Sequence, residues 1–159
     1  MKKLLLVLFF GLLFFLQGCS WVCRFYIANT TNEAITVVVK LKDAPGSFPI
    51  FHYPYHYYGK VRQYVLKKDG QVNFEGVTDA KADTLDKYSH FTVQIPPHSA
   101  IEIGQLQNDT YKAYNQYFIN GRSFNLEKLS ISGKKGEIVP STFDNYFHKG
   151  KNGEIYFVL

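Results

Sequence analysis

The chain has 159 residues, of which 17% are Phe, Tyr or Trp, with a formal charge of +5 and two cysteines. That length suffices for one domain with a real hydrophobic core, and two cysteines are too few for a disulfide framework. Basic residues are spread along the chain, and the nearest approaches to clusters, Lys67-Lys68 and Lys134-Lys135, sit beside glycine turns. This excludes the one-sided basic footprint of a nucleic-acid binder.

The N-terminus reads as an export signal. Met1-Lys2-Lys3 is a short basic region, and residues 4–16 (LLLVLFFGLLFFL) form an unbroken apolar run of thirteen residues, the length of a signal-peptide core. A spanning helix needs about 20 apolar residues, so the run is too short to be an ordinary membrane anchor. The junction Leu16-Gln17-Gly18-Cys19 resembles the lipobox of bacterial lipoproteins. The resemblance implies cleavage between Gly18 and Cys19, with the thiol of Cys19 accepting a diacylglycerol. Two or more acyl chains give a stable anchor. Ser20, where an Asp would retain such a protein, implies onward transport to the outer membrane of a Gram-negative bacterium. The expected organisation is a signal peptide over 1–18, a lipidated N-terminus and short tether over 19–23, and one domain over 24–159. With Cys19 lipidated, Cys23 is the only thiol left, so neither an intramolecular disulfide nor a cysteine-based zinc site is available.

Aromatic and β-branched residues suit a pleated, half-buried surface, and the mature chain follows that pattern. After a short candidate strand at 24–28, Ile35, Val37, Val39 and Leu41 alternate with Thr36, Val38, Lys40 and Lys42, which places one face of a strand in the core. Further short strands are expected at 64–66, 72–74, 91–95, 100–104, 117–120, 128–132 and 154–159. Asp69-Gly70 and Asn120-Gly121 supply the positive-φ residues of tight hairpin turns. Helical turns are expected at 78–88, where Thr78 or Asp79 would cap, at 109–117 and at 143–148. Short strands linked by turns at this spacing predict an all-β fold, a single antiparallel β-sandwich of immunoglobulin-like or transthyretin-like type with at most one or two short helical turns. A small β-barrel is the alternative.

Chemistry-bearing motifs are scarce. No nucleophile elbow, phosphate loop, zinc-protease helix or calcium loop occurs, and these are the patterns whose spacing ties residues to a mechanism. Ser141, Asp144 and His148 are the nearest approach to a nucleophile constellation, and they read better as loop hydrogen-bonding groups. His52 and His56 are four apart, but Pro54 between them prevents a ligand-presenting helix. Asp79, Asp83 and Asp86 read as a solvated acidic face. No enzyme activity, metal or cofactor is expected.

The stretch 47–58 (SFPIFHYPYHYY) is compositionally odd, with eight of its twelve residues Phe, Tyr or His. Either Phe48, Ile50 and Phe51 fold back over an open end of the sandwich, or Tyr53, Tyr55, Tyr57 and Tyr58 form an exposed contact platform for a protein or glycan. The whole chain looks like the small β-rich envelope lipoproteins of Gram-negative bacteria. That resemblance implies a membrane-anchored, non-catalytic binding or assembly module. An inhibitor or immunity-type protein that blocks an enzyme, and a lipocalin-like carrier of an apolar ligand, are the alternatives.

Overall fold

The computed structural model describes residues 20–43, 48–51, 60–86, 90–132 and 136–159, with only the backbone described at 84–86. Eleven strands run in the order β1 (Val22–Asn29), β2 (Ile35–Leu41), β3 (Phe48–Pro49), β4 (Lys60–Leu66), β5 (Val72–Asp86), β6 (His90–Ile95), β7 (Ser99–Gln107), β8 (Arg122–Ser123), β9 (Leu126–Ile131), β10 (His148–Lys149) and β11 (Ile155–Val158). The fold is all-β, as expected, with one short 3-10 helix at Pro140–Asn145. Nine strands form a single sheet in the order β10-β11-β1-β7-β4-β5-β6-β2-β9, while β3 and β8 make a small separate ladder. The large sheet curls into a half-barrel. It is mixed and not purely antiparallel, because β1 and β11 run parallel, with Phe25 opposite Ile155 and Ala28 opposite Val158.

The curl is carried by β5, which spans 15 residues. Its first part pairs with β4 from Val72 to Lys81, and its last part pairs with β6 from Ala82 onward. One strand therefore belongs to both halves of the sheet, and those halves enclose a common core. Alternation on β2 is complete: Ile35, Val37, Val39 and Leu41 are buried and the residues between them are half-exposed. Val37 and Val39 pack with Phe25 and Ile27 of β1, Phe91 and Val93 of β6, and Leu129 and Ile131 of β9.

Much of the aromatic content lies in this core. Phe25 meets Phe51, Tyr111 and Phe124 edge-on at 5.4, 5.2 and 5.9 Å between centroids. Phe143 of the 3-10 helix stacks on Phe147 at 4.0 Å. Offset and edge-on ring pairs add stabilisation beyond their buried area. Ile50 and Phe51 enter this cluster and are 1% exposed. Buried Asn125 fixes them there, since its Oδ1 accepts the Phe51 amide at 3.0 Å and its Nδ2 donates to the Phe51 carbonyl at 3.2 Å. The segment crosses β7 at Gly104, where a Cβ would collide with the Ile50 carbonyl and the Phe51 ring.

Several local expectations are corrected. Residues 78–86, expected to be helical, belong to β5, because residues 78–81 pair with β4 and residues 82–86 pair with β6. Residues 109–117 are irregular with a turn at 114–115. Residues 117–120, expected as a strand, lie in and before the turn that leads to β8. The expected helical turn at 143–148 begins earlier, at Pro140, and ends at Asn145.

Replacing Val39 with Asp should abolish cooperative folding, because an unpaired buried carboxylate costs several kcal/mol against a total stability of about 5–15 kcal/mol. Val38→Thr, one residue along and half-exposed, should leave the thermal midpoint within a few degrees. Circular dichroism melts of the two variants check this. Equal tolerance of both would mean that β2 turns its other face inward.

Candidate functional site: a cleft between a hairpin and the sheet edge

Side chains alternate across β1, so Phe25 and Ile27 face the main core while Tyr26 and Ala28 face the opposite side of the sheet. All four are fully buried. The outer pair is covered because the β4–β5 hairpin bends over that face. A register shift between Tyr64 and Leu66 marks the bend, and bulges of this kind increase local twist. The turn at 67–71 is closed by Lys67 donating to the Gln71 carbonyl at 2.8 Å and Gly70 donating to the Lys67 carbonyl at 2.9 Å. Gly70 there has φ +79°, which explains its place in the turn. The fold-over brings the Val72 amide to the Tyr156 hydroxyl of β11 at 3.4 Å.

Beneath it lies a second, smaller core of Tyr26, Ala28, Tyr64, Val72, Ala100 and Tyr156. Ala28 and Ala100 are cross-strand partners, and their small size leaves room for the rings. Tyr26 meets Tyr64 edge-on at 5.2 Å and stacks on Tyr156 at 5.4 Å.

Arg24 continues this face. Its Nη1 lies 3.2 Å from Glu154 Oε1, and its Nε lies 3.8 Å from Glu102 Oε2, beyond hydrogen-bond reach. Glu154 also accepts the Arg24 backbone amide, and Glu102 accepts the Tyr64 hydroxyl at 2.6 Å. The guanidinium sits 5.7 Å from the Phe74 ring centre. The Arg24 Nε and the Tyr26 hydroxyl are buried without a hydrogen-bond partner among the described residues.

One guanidinium thus serves two carboxylates that are about a tenth exposed or less. Burial raises the Glu154 carboxyl, although Arg24 beside it pulls the other way. Burial, with the bond to Glu102, pushes Tyr64 up to about 12, and burial drives Tyr26 higher still. Burial thus favours the neutral form of these phenols, and their rings form the floor of what lies above.

Above the floor, the hairpin tip and the β10–β11 edge flank an open cleft of about 1080 Å³, slightly larger than the usual range for small-molecule sites. One lip carries Lys67, Lys68 and Asp69, with His98 nearby; the other carries His148, Lys149 and Lys151. Tyr156 and Val158 form its apolar base, and Tyr146 and Phe157 contribute to the wall. The Tyr156 hydroxyl is positioned by Asn152, which donates to it at 2.9 Å. His98 is hydrogen-bonded to Asn32 at 3.0 Å through Nε2. Four lysines against one aspartate make the lips cationic, a charge that favours anionic ligands.

Most sequence-predicted sites fall elsewhere. Gly18, Cys19, His52, His56 and the platform candidates Tyr53, Tyr55, Tyr57 and Tyr58 lie outside the described residues. Of the same aromatic stretch, Ile50 and Phe51 are core and Phe48 is 70% exposed. Asp144 accepts the Tyr111 hydroxyl and the Tyr114 amide, so it holds the 109–117 segment in place and is not directed at Ser141 or His148. Asp79 pairs with Lys60 at 3.2 Å and Asp83 with Lys81 at 3.5 Å. Among the described residues no group of His, Cys, Asp and Glu gathers as a metal site. The cleft was missed because its two lysine pairs are distant in sequence, and each sits beside a glycine where solvated turn lysines are ordinary. No family model matches the chain, and neither a curated protein nor a solved structure matches it.

Cys23 belongs to the main core, buried, with its thiol donating to the Gly153 carbonyl at 3.4 Å. Burial, reinforced by the Glu154 charge, raises it from its ordinary 9.0 to about 11. Iodoacetamide at pH 8 should leave Cys23 intact in the native protein and alkylate it fully in denaturant. Between about 9 and 11 the unfolded thiol ionises first, so its contribution to stability should fall as pH rises through that window. Native-state alkylation at the rate of a free thiol would place Cys23 outside the fold.

Proposed function

We propose that this protein is a lipoprotein of the bacterial envelope, tethered through Cys19 to the outer membrane of a Gram-negative bacterium and acting as a non-catalytic binding module. The observation that carries the reading is the lipobox-like Leu16-Gln17-Gly18-Cys19 placed directly after a signal-length apolar run. Two features support it. The described core begins at Cys23, four residues after Cys19, so the cleavage point lies close before the folded domain. Cys23 is buried and bonded to Gly153, which leaves Cys19 as the cysteine available to a lipid. Among the described residues no helix is long and apolar enough to cross a membrane.

The cleft is the binding site in this reading. Its cationic lips and tyrosine base suit an acidic protein segment or an anionic glycan. The non-catalytic role is supported by a floor whose carboxylates are engaged by Arg24 and Tyr64. It is supported as well by the structural use of Asp144.

Three variants test the anchor and the site separately. Cys19→Ala should leave an uncleaved, unlipidated precursor, as read by intact mass, whereas Cys23→Ala should be processed normally. Substituting Lys67, Lys68 and Lys149 by Ala should lower partner recovery from detergent-solubilised envelope at least tenfold without changing lipidation. A Cys19→Ala variant cut at the same place as the parent, with a mature mass that differs from the parent's only by the sulfur lost in the substitution, removes the anchor. Undiminished recovery by the triple variant removes the cleft as the site, and a stoichiometric enzyme in the recovered complex would shift the reading to an inhibitor.

A further inference from the structure

Four large side chains at the start of β1 and beside it have no place in either core. Trp21 is 54% exposed, Phe48 70%, Tyr117 88% and Ile119 95%. They are grouped by bonded backbone. Trp21 and Asn108 are joined by two hydrogen bonds, of 2.9 and 3.1 Å, and the adjacent Val22 pairs with Gln107. The Arg122 guanidinium donates to the Gln107 carbonyl. Arg122 is the partner of Phe48 across the β3–β8 ladder, and the Phe48 amide donates to the Gly121 carbonyl at 2.9 Å. Ile119 begins the turn that ends at Gly121, whose φ is +74°. A tryptophan, a phenylalanine and an isoleucine are thus displayed around one end of the half-barrel, and exposed Tyr117 stands two residues before Ile119 in the chain.

We propose that this end rests in the headgroup layer of the lipid bilayer, so that the domain touches the membrane through protein as well as through its lipid. The inference rests on the anchor reading of Cys19. The chain says why lipid is the occupant: Cys19 stands two residues before Trp21, and two extended residues reach at most about 7 Å. An acylated Cys19 therefore brings this end to the bilayer surface, and no other end. Trp and Tyr favour the membrane interface, where the ring is half-buried and the polar tip stays wet, and Phe48 and Ile119 add apolar area beside them.

The arrangement also orients the molecule. The β1 strand has eight residues, which at about 3.3 Å per residue separates its ends by roughly 25 Å. The hairpin tip with Lys67 and Lys68 lies at the far end, where β4 terminates and β7 begins, so that lip of the cleft faces away from the membrane.

The test uses full-length protein, processed and lipidated in cells, carrying Ile119→Cys or Lys68→Cys. Each is labelled with an environment-sensitive fluorophore and reconstituted in phosphatidylethanolamine–phosphatidylglycerol vesicles containing nitroxide lipids. Buried Cys23 stays unlabelled, and intact mass reports the lipid on Cys19. The label at 119 should shift to the blue and be quenched at least threefold more than the label at 68. Equal, weak quenching at both positions in protein with a lipidated Cys19 overturns the inference while the anchor stands. A Cys19 without lipid overturns both, and the mass identifies that case.

Discussion

Strand β1 is covered on both of its faces, and the rest of the molecule is arranged to make that possible. Phe25 and Ile27 on one side, and Tyr26 and Ala28 on the other, are all removed from water. A strand in a simple two-faced sheet needs only one buried side. Burying the second side of β1 requires a cover, and the β4–β5 hairpin provides it by bending across the sheet until Val72 reaches Tyr156. The edges of β1 are equally occupied, by β7 on one side and by the parallel β11 on the other. The first and last strands of the domain are therefore locked together, with the Leu159 amide donating to the Ala28 carbonyl at 3.0 Å.

The cleft follows from this cover. A hairpin that folds over a sheet meets the floor with its base and leaves a gap beyond its tip, and here the gap opens toward the short strand β10. Because β10 has only two residues, the polar loop around Gly150 forms the second lip, opposite the turn at Gly70. Lysines are ordinary in solvated turns, and the fold brings two such turns to the same cleft beside Tyr156. The ion group below has a different role. Arg24, Glu102 and Glu154 tie β1, β7 and the approach to β11 together on the face that the hairpin covers. Partnered charges there cost about as much in desolvation as they return in attraction, so their contribution is to geometry more than to stability.

What the sequence made legible tracks how many faces each strand buries. On β2, β6 and β9 the alternation of residues 35–41, 91–95 and 128–132 matches the observed burial, because these strands have one core side and one wetter side. On β1 and β11 the runs FYIA and IYF are buried without alternation, which is the signature of strands covered on both faces. Their parallel pairing was hidden, since they stand at opposite ends of the chain. Residues 78–86 carry a helix-like cap and a polar composition, yet ladder pairing, with β4 as far as Lys81 and with β6 from Ala82, outweighs local propensity there. Of the odd aromatic stretch, Ile50 and Phe51 went to the core. The cleft was illegible, since nothing in a local pattern reports that residue 67 will stand across from residue 149.

If β1 is the element on which the fold depends, its opening should require the opening of everything else. Native-state hydrogen exchange measures this directly. The amides of Phe25, Tyr26, Ile27 and Ala28, with those of Ile155, Tyr156 and Phe157, should exchange only through global unfolding, with free energies equal to that from denaturant melts. The hairpin amides near Gly70 should exchange at lower free energy. Exchange of the β1 and β11 amides at several kcal/mol below the global value, while β2 and β6 remain protected, would contradict the account and place the organising element in the other half of the sheet.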